Sequence, residues 1–71
     1  MTKEEFCKMV DEVAAEISEE KGVDLEVIDK GYAILVGRKS GGAMTEFEFR
    51  EMEPGVFMTA AQVEESIGYV I

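Results

Sequence analysis

The chain has 71 residues, of which sixteen are acidic, seven are basic and none is histidine, so its formal net charge is −9 at pH 7. A chain this short predicts one small domain, residues 1–71, and its 46% hydrophobic content is typical of a folded globular protein. The lack of histidine excludes Ser-His and Cys-His pairs and imidazole zinc ligands, and the acidic balance disfavours direct binding to DNA or RNA.

The cysteine content and the hydropathy pattern indicate the cellular compartment in which the protein is expected. The single cysteine, Cys7, cannot form an internal disulfide, which favours a reducing compartment. No apolar run approaches the roughly 20 residues of a membrane span, and acids occupy the N-terminus where a signal peptide has an apolar run. We therefore expect a soluble cytoplasmic protein that does not bind a membrane.

The first predicted element is a long helix that ends at Lys21. Thr2 and Glu5 have the spacing of a capping box, in which each residue bonds the backbone amide of the other. Gly22 follows the last turn, where glycine commonly ends a helix in the left-handed conformation. Apolar residues recur between these ends at three- and four-residue spacing, at Phe6, Met9, Val10, Val13, Ala14 and Ile17.

After Gly22 the hydropathy alternates with a period of two, which predicts strands. We expect strands at residues 23–27, 32–36 and 44–50, with a tight turn at 29–31 that contains a glycine. The glycine-rich stretch 37–42 also contains Arg38 and Lys39. It lacks the spacing of a phosphate-binding loop and no helix follows it, so we interpret it as a hairpin loop.

The last part of the chain predicts a turn at residues 53–56, a short fourth strand at 56–58 and a second helix. Thr59 and Gln62 repeat the capping-box spacing, and Gly68 is the expected helix end. The apolar residues 69–71 should dock onto the domain. The predicted fold is therefore α+β, a small two-layer α-β-β-β-(β)-α domain with an antiparallel three- to four-stranded meander on the long N-terminal helix.

The strand alternation predicts two faces of the sheet. The helix-facing residues are expected to be Val23, Leu25, Tyr32, Ile34, Thr45, Phe47 and Phe49. The opposite face, called the open sheet face below, carries a set of apolar and acidic residues: Ile28, Ala33, Leu35, Met44 and Met52 with Asp24, Glu26, Glu46 and Glu48. The facing of the middle strand is an assumption, because residues 32–36 are apolar on both faces. An apolar centre with a charged rim is typical of protein–protein interfaces. The alternative is that the C-terminal helix or tail covers this face.

Acidic residues also line the first helix, at Asp11, Glu12, Glu16 and Glu19, called the acidic helix stripe below. Residues 1–30 hold ten acids and four bases, whereas residues 31–71 hold six acids and three bases. Such a stripe is commonly a solvated helix face, but like charges four residues apart repel one another. The functional interpretation is a surface for a basic partner, with carboxylates partly replacing nucleic-acid phosphates.

The sequence predicts no catalytic residue, no metal site and no cofactor. Asp24, Glu26 and Asp29 lack the glycine and the final glutamate of a calcium loop. Cys7 has no base or second thiol nearby in the sequence, so we interpret it as a small, half-buried hydrophobic residue.

No motif identifies a family. In size and composition the chain is similar to small phage-encoded inhibitors of nucleic-acid-binding enzymes, including anti-CRISPR proteins. That similarity implies a non-enzymatic inhibitor that binds a basic surface of a partner protein and contacts no nucleic acid itself. The alternative is a structural or assembly protein that forms a homodimer through the open sheet face.

Overall fold

In a computed structural model that describes residues 1–49 and 57–71, the chain forms two helices and three strands. Helix α1 spans Lys3–Lys21 and helix α2 spans Ala60–Gly68. Strands β1, β2 and β3 span Leu25–Asp29, Ala33–Arg38 and Met44–Glu48, and they form an antiparallel sheet in that order. The predicted α+β fold with its antiparallel meander is therefore confirmed.

The predicted fourth strand falls partly outside the described residues, together with the predicted turn at 53–56 and Met52. Phe57 and Met58 are described, and they belong to no strand. Both side chains pack against the core instead. A strand at these two positions is thus a wrong prediction, because their apolar character serves the core and not a sheet pleat.

Both predicted ends of α1 are confirmed. The Glu5 amide donates to Thr2 Oγ1 at 3.2 Å, and the Thr2 amide donates to Glu5 Oε1 at 3.0 Å. At the other end Gly22 has a φ of 66°, and the Val23 amide donates to the Ser18 carbonyl at 3.2 Å. Because Val23 completes the helix end in this way, β1 begins at Leu25, two residues later than predicted.

The turn between β1 and β2 determines where Tyr32 lies. Gly31 has a φ of 85°, and its amide donates to Asp29 Oδ1 at 2.7 Å. Strand β2 begins only at Ala33, so Tyr32 is part of the turn. Its side chain is 63% exposed. The prediction that Tyr32 packs on the helix is therefore wrong, although the alternation is right for the strand residues that follow it.

Both helices pack on the same face of the sheet. The register places Ile34 beside Phe47 and Val36 beside Thr45. The buried residues of both helices join those of this face in one core cluster, Phe6, Val10, Val13, Ala14, Ile17, Ile34, Val36, Phe47, Phe49, Val63 and Ile67. The alternative in which the C-terminal helix covers the open sheet face is therefore wrong, since Val63 and Ile67 lie on the opposite side.

Phe6 is the centre of this core and is fully buried. Its ring centroid lies 6.0 Å from that of Phe47 and 6.4 Å from that of Phe49, both in edge-to-face geometry. The Phe57 ring lies 5.3 Å from it. Lys3 Nζ lies 4.8 Å from the Phe49 centroid, a cation–π contact. One residue of α1 therefore joins the helix to β3 and to the segment before α2.

The C-terminal segment docks in part. Ile71 packs against the core, and its carbonyl oxygen accepts a hydrogen bond from Arg38 Nη2 at 2.6 Å. Tyr69, by contrast, is 80% exposed. Gly68 is the last residue of α2, but the helix ends through Tyr69 in a right-handed conformation. The predicted docking is therefore confirmed for Ile71 and wrong for Tyr69.

Replacing Phe6 with alanine should remove most of the stability of this fold. A buried Phe→Ala change costs about 3–5 kcal/mol, and a domain of this size has only about 3–5 kcal/mol in total. We expect Phe6→Ala to be largely unfolded in water, as measured by circular dichroism during a urea titration. Tyr32→Ala is the control and should change the free energy of unfolding by at most about 0.5 kcal/mol. Equal urea midpoints would contradict the role assigned to Phe6.

Candidate functional site

The open sheet face has a half-buried apolar centre. The register places Ile28, Leu35 and Glu46 in one row across the three strands, and Glu26, Gly37 and Met44 in the next row. Ile28, Leu35 and Met44 are half-buried, whereas Glu46 is exposed. The predicted contact residues Leu35 and Met44 are therefore brought together on neighbouring strands.

Gly37 sets the position of Met44 within this face. A Cβ atom added to Gly37 would lie 2.7 Å from Met44 Cγ and 3.0 Å from the carbonyl oxygen of Ala43. The Met44 side chain thus lies flat over the glycine, where any larger residue would displace it. As a result Met44 covers Gly37 in this row of the face.

The carboxylates of the open sheet face are diagonal to one another. Glu26 on β1 shares a row with Met44, whereas Glu46 on β3 shares a row with Ile28. The two outer strands lie about 10 Å apart. Glu46 and Glu48 each take part in a further interaction within the protein. The spacing favours a charged rim over a closely coupled carboxylate pair.

Asp24 lies just before β1, at the end of the rim. Its carbonyl oxygen accepts a hydrogen bond from the Lys39 amide at 3.0 Å, which extends the β1–β2 pairing by one residue. Asp24 and Lys39 are both exposed. The rim of the open sheet face therefore includes a lysine at this end and is not uniformly acidic.

The acidic helix stripe lies on the side of α1 that faces away from the core. All four of its residues, Asp11, Glu12, Glu16 and Glu19, are exposed. Residues 12 to 19 span two helical turns, a rise of about 10 Å. Because α1 packs on the other face of the sheet, the stripe and the open sheet face lie on opposite sides of the domain. The predicted binding residues therefore form two separate surfaces, and a flat partner contacts only one of them.

Glu5 continues the acidic surface of α1 toward the helix N-terminus and has a shifted pKa. Hydrogen bonds from the Thr2 amide and hydroxyl lower the pKa of the Glu5 carboxyl below its ordinary value. Glu5 is exposed. Its charge is thus held by the local capping geometry and not by burial.

Cys7 lies on the flank of α1 and packs against the core. Partial burial raises the pKa of the Cys7 thiol, and the negative charges of Asp29 and Asp11 raise it further. The thiol therefore stays protonated at neutral pH and is a poor nucleophile.

A groove between the two helices, called the interhelical groove below, was not anticipated from the sequence. It has a volume of about 440 Å³. Its lining comes from the last turns of α1, from α2 and from the chain end, namely Ile17, Glu20, Lys21, Ala61, Glu64, Glu65, Gly68 and Ile71. The one sequence signal was the pair Glu64 and Glu65 flanked by the small residues Ala61 and Gly68. That pair becomes part of a groove only through the packing of α2 on α1.

Comparison of the chain with protein-family models, with curated proteins and with solved structures finds no match. Within residues 1–49 and 57–71, no three histidine, cysteine or acidic side chains are grouped so that they could hold a metal ion. In the same part of the chain, neither helix has the length and apolar character needed to cross a membrane. The site must therefore be interpreted from its own geometry.

Helix α1 should lose part of its N-terminal cap in acid. Because the folded-state pKa of Glu5 is lowered, its contribution to stability is complete above the pKa of the unfolded chain and is lost as the pH falls through the folded-state pKa. Glu5→Gln retains the hydrogen-bonding geometry without a titrating group, as Gln62 does in α2. We expect the difference in unfolding free energy between wild type and Glu5→Gln to shrink from about pH 6 to about pH 3.

In the converse variant, Gln62→Glu, the contribution of the α2 cap to the free energy of unfolding should also fall as the pH falls. Urea unfolding at a series of pH values measures both effects. A wild-type minus Glu5→Gln difference that stays constant over this range would contradict the assignment of the cap to the ionised carboxylate.

Proposed function

We propose that this chain is a small, non-enzymatic interaction module that binds a basic surface of a partner protein, such as the surface with which that partner holds nucleic acid. The observation that carries the proposal is the distribution of charge on α1. The helix contains seven acidic residues and three lysines, and all seven acids are exposed while its apolar residues enter the core.

The cations of α1 do little to neutralise this surface. Lys3 lies over the Phe49 ring, and Lys21 lies in the last turn beside the interhelical groove. Only Lys8 remains within the stripe. Among the acids only Glu5 is engaged by a cap. A dense set of exposed like charges speeds encounter with a surface of opposite charge and weakens with salt.

The chemistry of the described residues supports a role without catalysis. The Cys7 thiol is kept protonated, and the carboxylates of the open sheet face lie on different rows of the sheet. Catalytic carboxylates and nucleophiles act in clefts that exclude water and bring a base within hydrogen-bond reach. The proposed activity is therefore occupancy of a partner's surface, which excludes the ligand that the partner would otherwise bind.

The acidic helix stripe should be required for binding to that partner. The experiment captures proteins from a lysate of the source organism on the immobilised chain and then measures the purified partner's affinity. We expect Glu12→Lys/Glu16→Lys to abolish measurable capture, since it places two cations opposite a cationic surface. Wild-type affinity should fall steeply between about 50 mM and about 200 mM salt, and nucleic acid should compete.

The matched control is Asp24→Lys/Glu26→Lys, which makes the same change in net charge on the open sheet face. This control should retain most of the binding. An affinity that does not depend on salt, or that neither double variant lowers, would contradict the proposed function.

A second candidate function is self-association, which a different observation favours. The apolar residues Ile28, Leu35 and Met44 lie side by side on the face that neither helix covers. A second copy of the chain, packed on this face, would bury them against an identical surface. This candidate uses the open sheet face and leaves the acidic helix stripe exposed.

Sedimentation velocity distinguishes the second candidate. If the open sheet face is a dimer interface, Leu35→Asp should convert the dimer to a monomer because it buries an unpaired charge. Ala15→Asp adds the same charge at an exposed position of α1 and should leave the dimer intact. A wild-type chain that sediments as a monomer at high concentration would contradict self-association.

A further inference from the structure

The interhelical groove combines an apolar floor with an acidic rim. Ile17 and Ile71 pack against or within the core and also line the groove, and Ala61 adds a small side chain between them. A second cavity of about 430 Å³ shares Lys21, Gly68 and Ile71 with the first and adds Val23. The two cavities are therefore neighbours beside the last turns of α1.

The rim of the groove is mainly negative. Glu20 comes from α1, and Glu64 and Glu65 come from α2, whereas Lys21 is the one cation among the described lining residues. Glu65 Oε1 accepts a long hydrogen bond of 3.4 Å from the Tyr69 hydroxyl. The carboxylates are too dispersed to hold a metal ion within the described residues. They remain suited to separate cationic groups on one extended partner.

We propose that the interhelical groove binds a cationic amphipathic segment of a partner protein. An apolar side chain of that segment lies on Ile17 and Ile71, and its lysine or arginine side chains lie beside Glu20 and Glu64. An apolar stripe set in a groove and fixed by charges at its edges is a common mode of peptide recognition. This inference rests on the proposed function, because it names the element of a basic partner that the helix layer holds.

The shape of the groove favours a peptide over a small ligand. Its volume of about 440 Å³ lies within the range of small-molecule sites. Such sites, however, enclose most of the ligand surface, whereas this groove is lined by α2 from Ala61 to Gly68 and lies beside a second cavity of similar size. A chain segment can follow that length, and small residues at Ala61 and Gly68 allow its backbone to approach α2 closely.

The experiment titrates the ¹⁵N-labelled chain with a synthetic peptide that repeats Leu-Lys-Lys-Leu. We expect amide shifts concentrated at residues 17–21, 61–68 and 71. A peptide with glutamate in place of every lysine is the probe for charge specificity and should cause no shifts at the same concentration. Shifts confined to the open sheet face, or no shifts with the lysine peptide, would overturn the inference.

Two double variants that change the net charge equally distinguish binding in the groove from long-range attraction by the negative charge of the whole protein. Glu20→Lys/Glu64→Lys should weaken peptide binding by about tenfold or more, since each substitution replaces an attraction with a repulsion. Asp24→Lys/Glu26→Lys lies on the open sheet face, outside the groove, and should weaken it by less than about threefold. Lys21→Gln removes the one repulsive charge of the lining and should tighten binding by about twofold to threefold.

The pattern of losses also separates this inference from the proposed function. Equal weakening by the two double variants would mean that only long-range attraction acts, which overturns the groove site and leaves the acidic helix surface in place. If neither variant weakens binding and salt has no effect on it, the groove site and the proposed function both fail.

Discussion

The packing of Phe6 is the interaction on which the rest of the structure depends. Its buried ring contacts Phe47 and Phe49 at the end of β3 and Phe57 ahead of α2. These partners come from two stretches of chain, one on each side of residues 50–56. A domain of 71 residues has material for one core only. Since that core is built around a residue of α1, the buried residues of α2, Val63 and Ile67, lie on the same side of the sheet.

This constraint explains how the surface is divided. Because Val63 and Ile67 are buried in the core beside α1, α2 does not cover the other face of the sheet. On that face Ile28, Leu35 and Met44 stay half-buried while Ala33 is fully buried. The acids of α1 form the outside of the helix layer. The groove arises for the same reason, because α2 packs beside the last turns of α1 and leaves a furrow between the two helices. The packing of both helices on one face of the sheet therefore produces three surfaces of different chemistry. These are the acidic helix stripe, the open sheet face and the interhelical groove.

The parts of the fold that the sequence predicted are those set by neighbouring residues. The capping boxes at Thr2 and Thr59 and the left-handed Gly22 depend on contacts within a few residues, and all three occur as expected. Strand alternation correctly placed Phe47 on the core side. The facing of Ile34 and Leu35 was an assumption, because their strand is apolar on both faces, and the register agrees with it. The features that were not predicted depend on tertiary packing or on how a local motif is completed. Ser18 holds Val23 at the helix end, which delays β1, and no pattern in α2 alone indicates which side of the sheet it will occupy.

The candidate site can be divided in the same way, into features set by neighbouring residues and features set by tertiary packing. Exposure of the acidic helix stripe was predictable from helical periodicity, because its residues are opposite the apolar ones. The separation of the stripe from the open sheet face was not, since it depends on which face the helices cover. The groove was least accessible to prediction. Ile17, Glu64 and Ile71 are distant in sequence, and only the packed structure brings them to one place.

The hydrogen bond between Arg38 and Ile71 gives the groove a connection to the far end of the sheet. Ile71 lines the groove, and its carbonyl oxygen accepts a hydrogen bond from Arg38, the last residue of β2. The loop between β2 and β3 thus begins at Lys39, two residues later than predicted, because Gly37 and Arg38 continue the strand. The Arg38–Ile71 hydrogen bond ties the chain end to the β2–β3 hairpin as well as to the core, so the same residue that lines the groove is also held by the sheet.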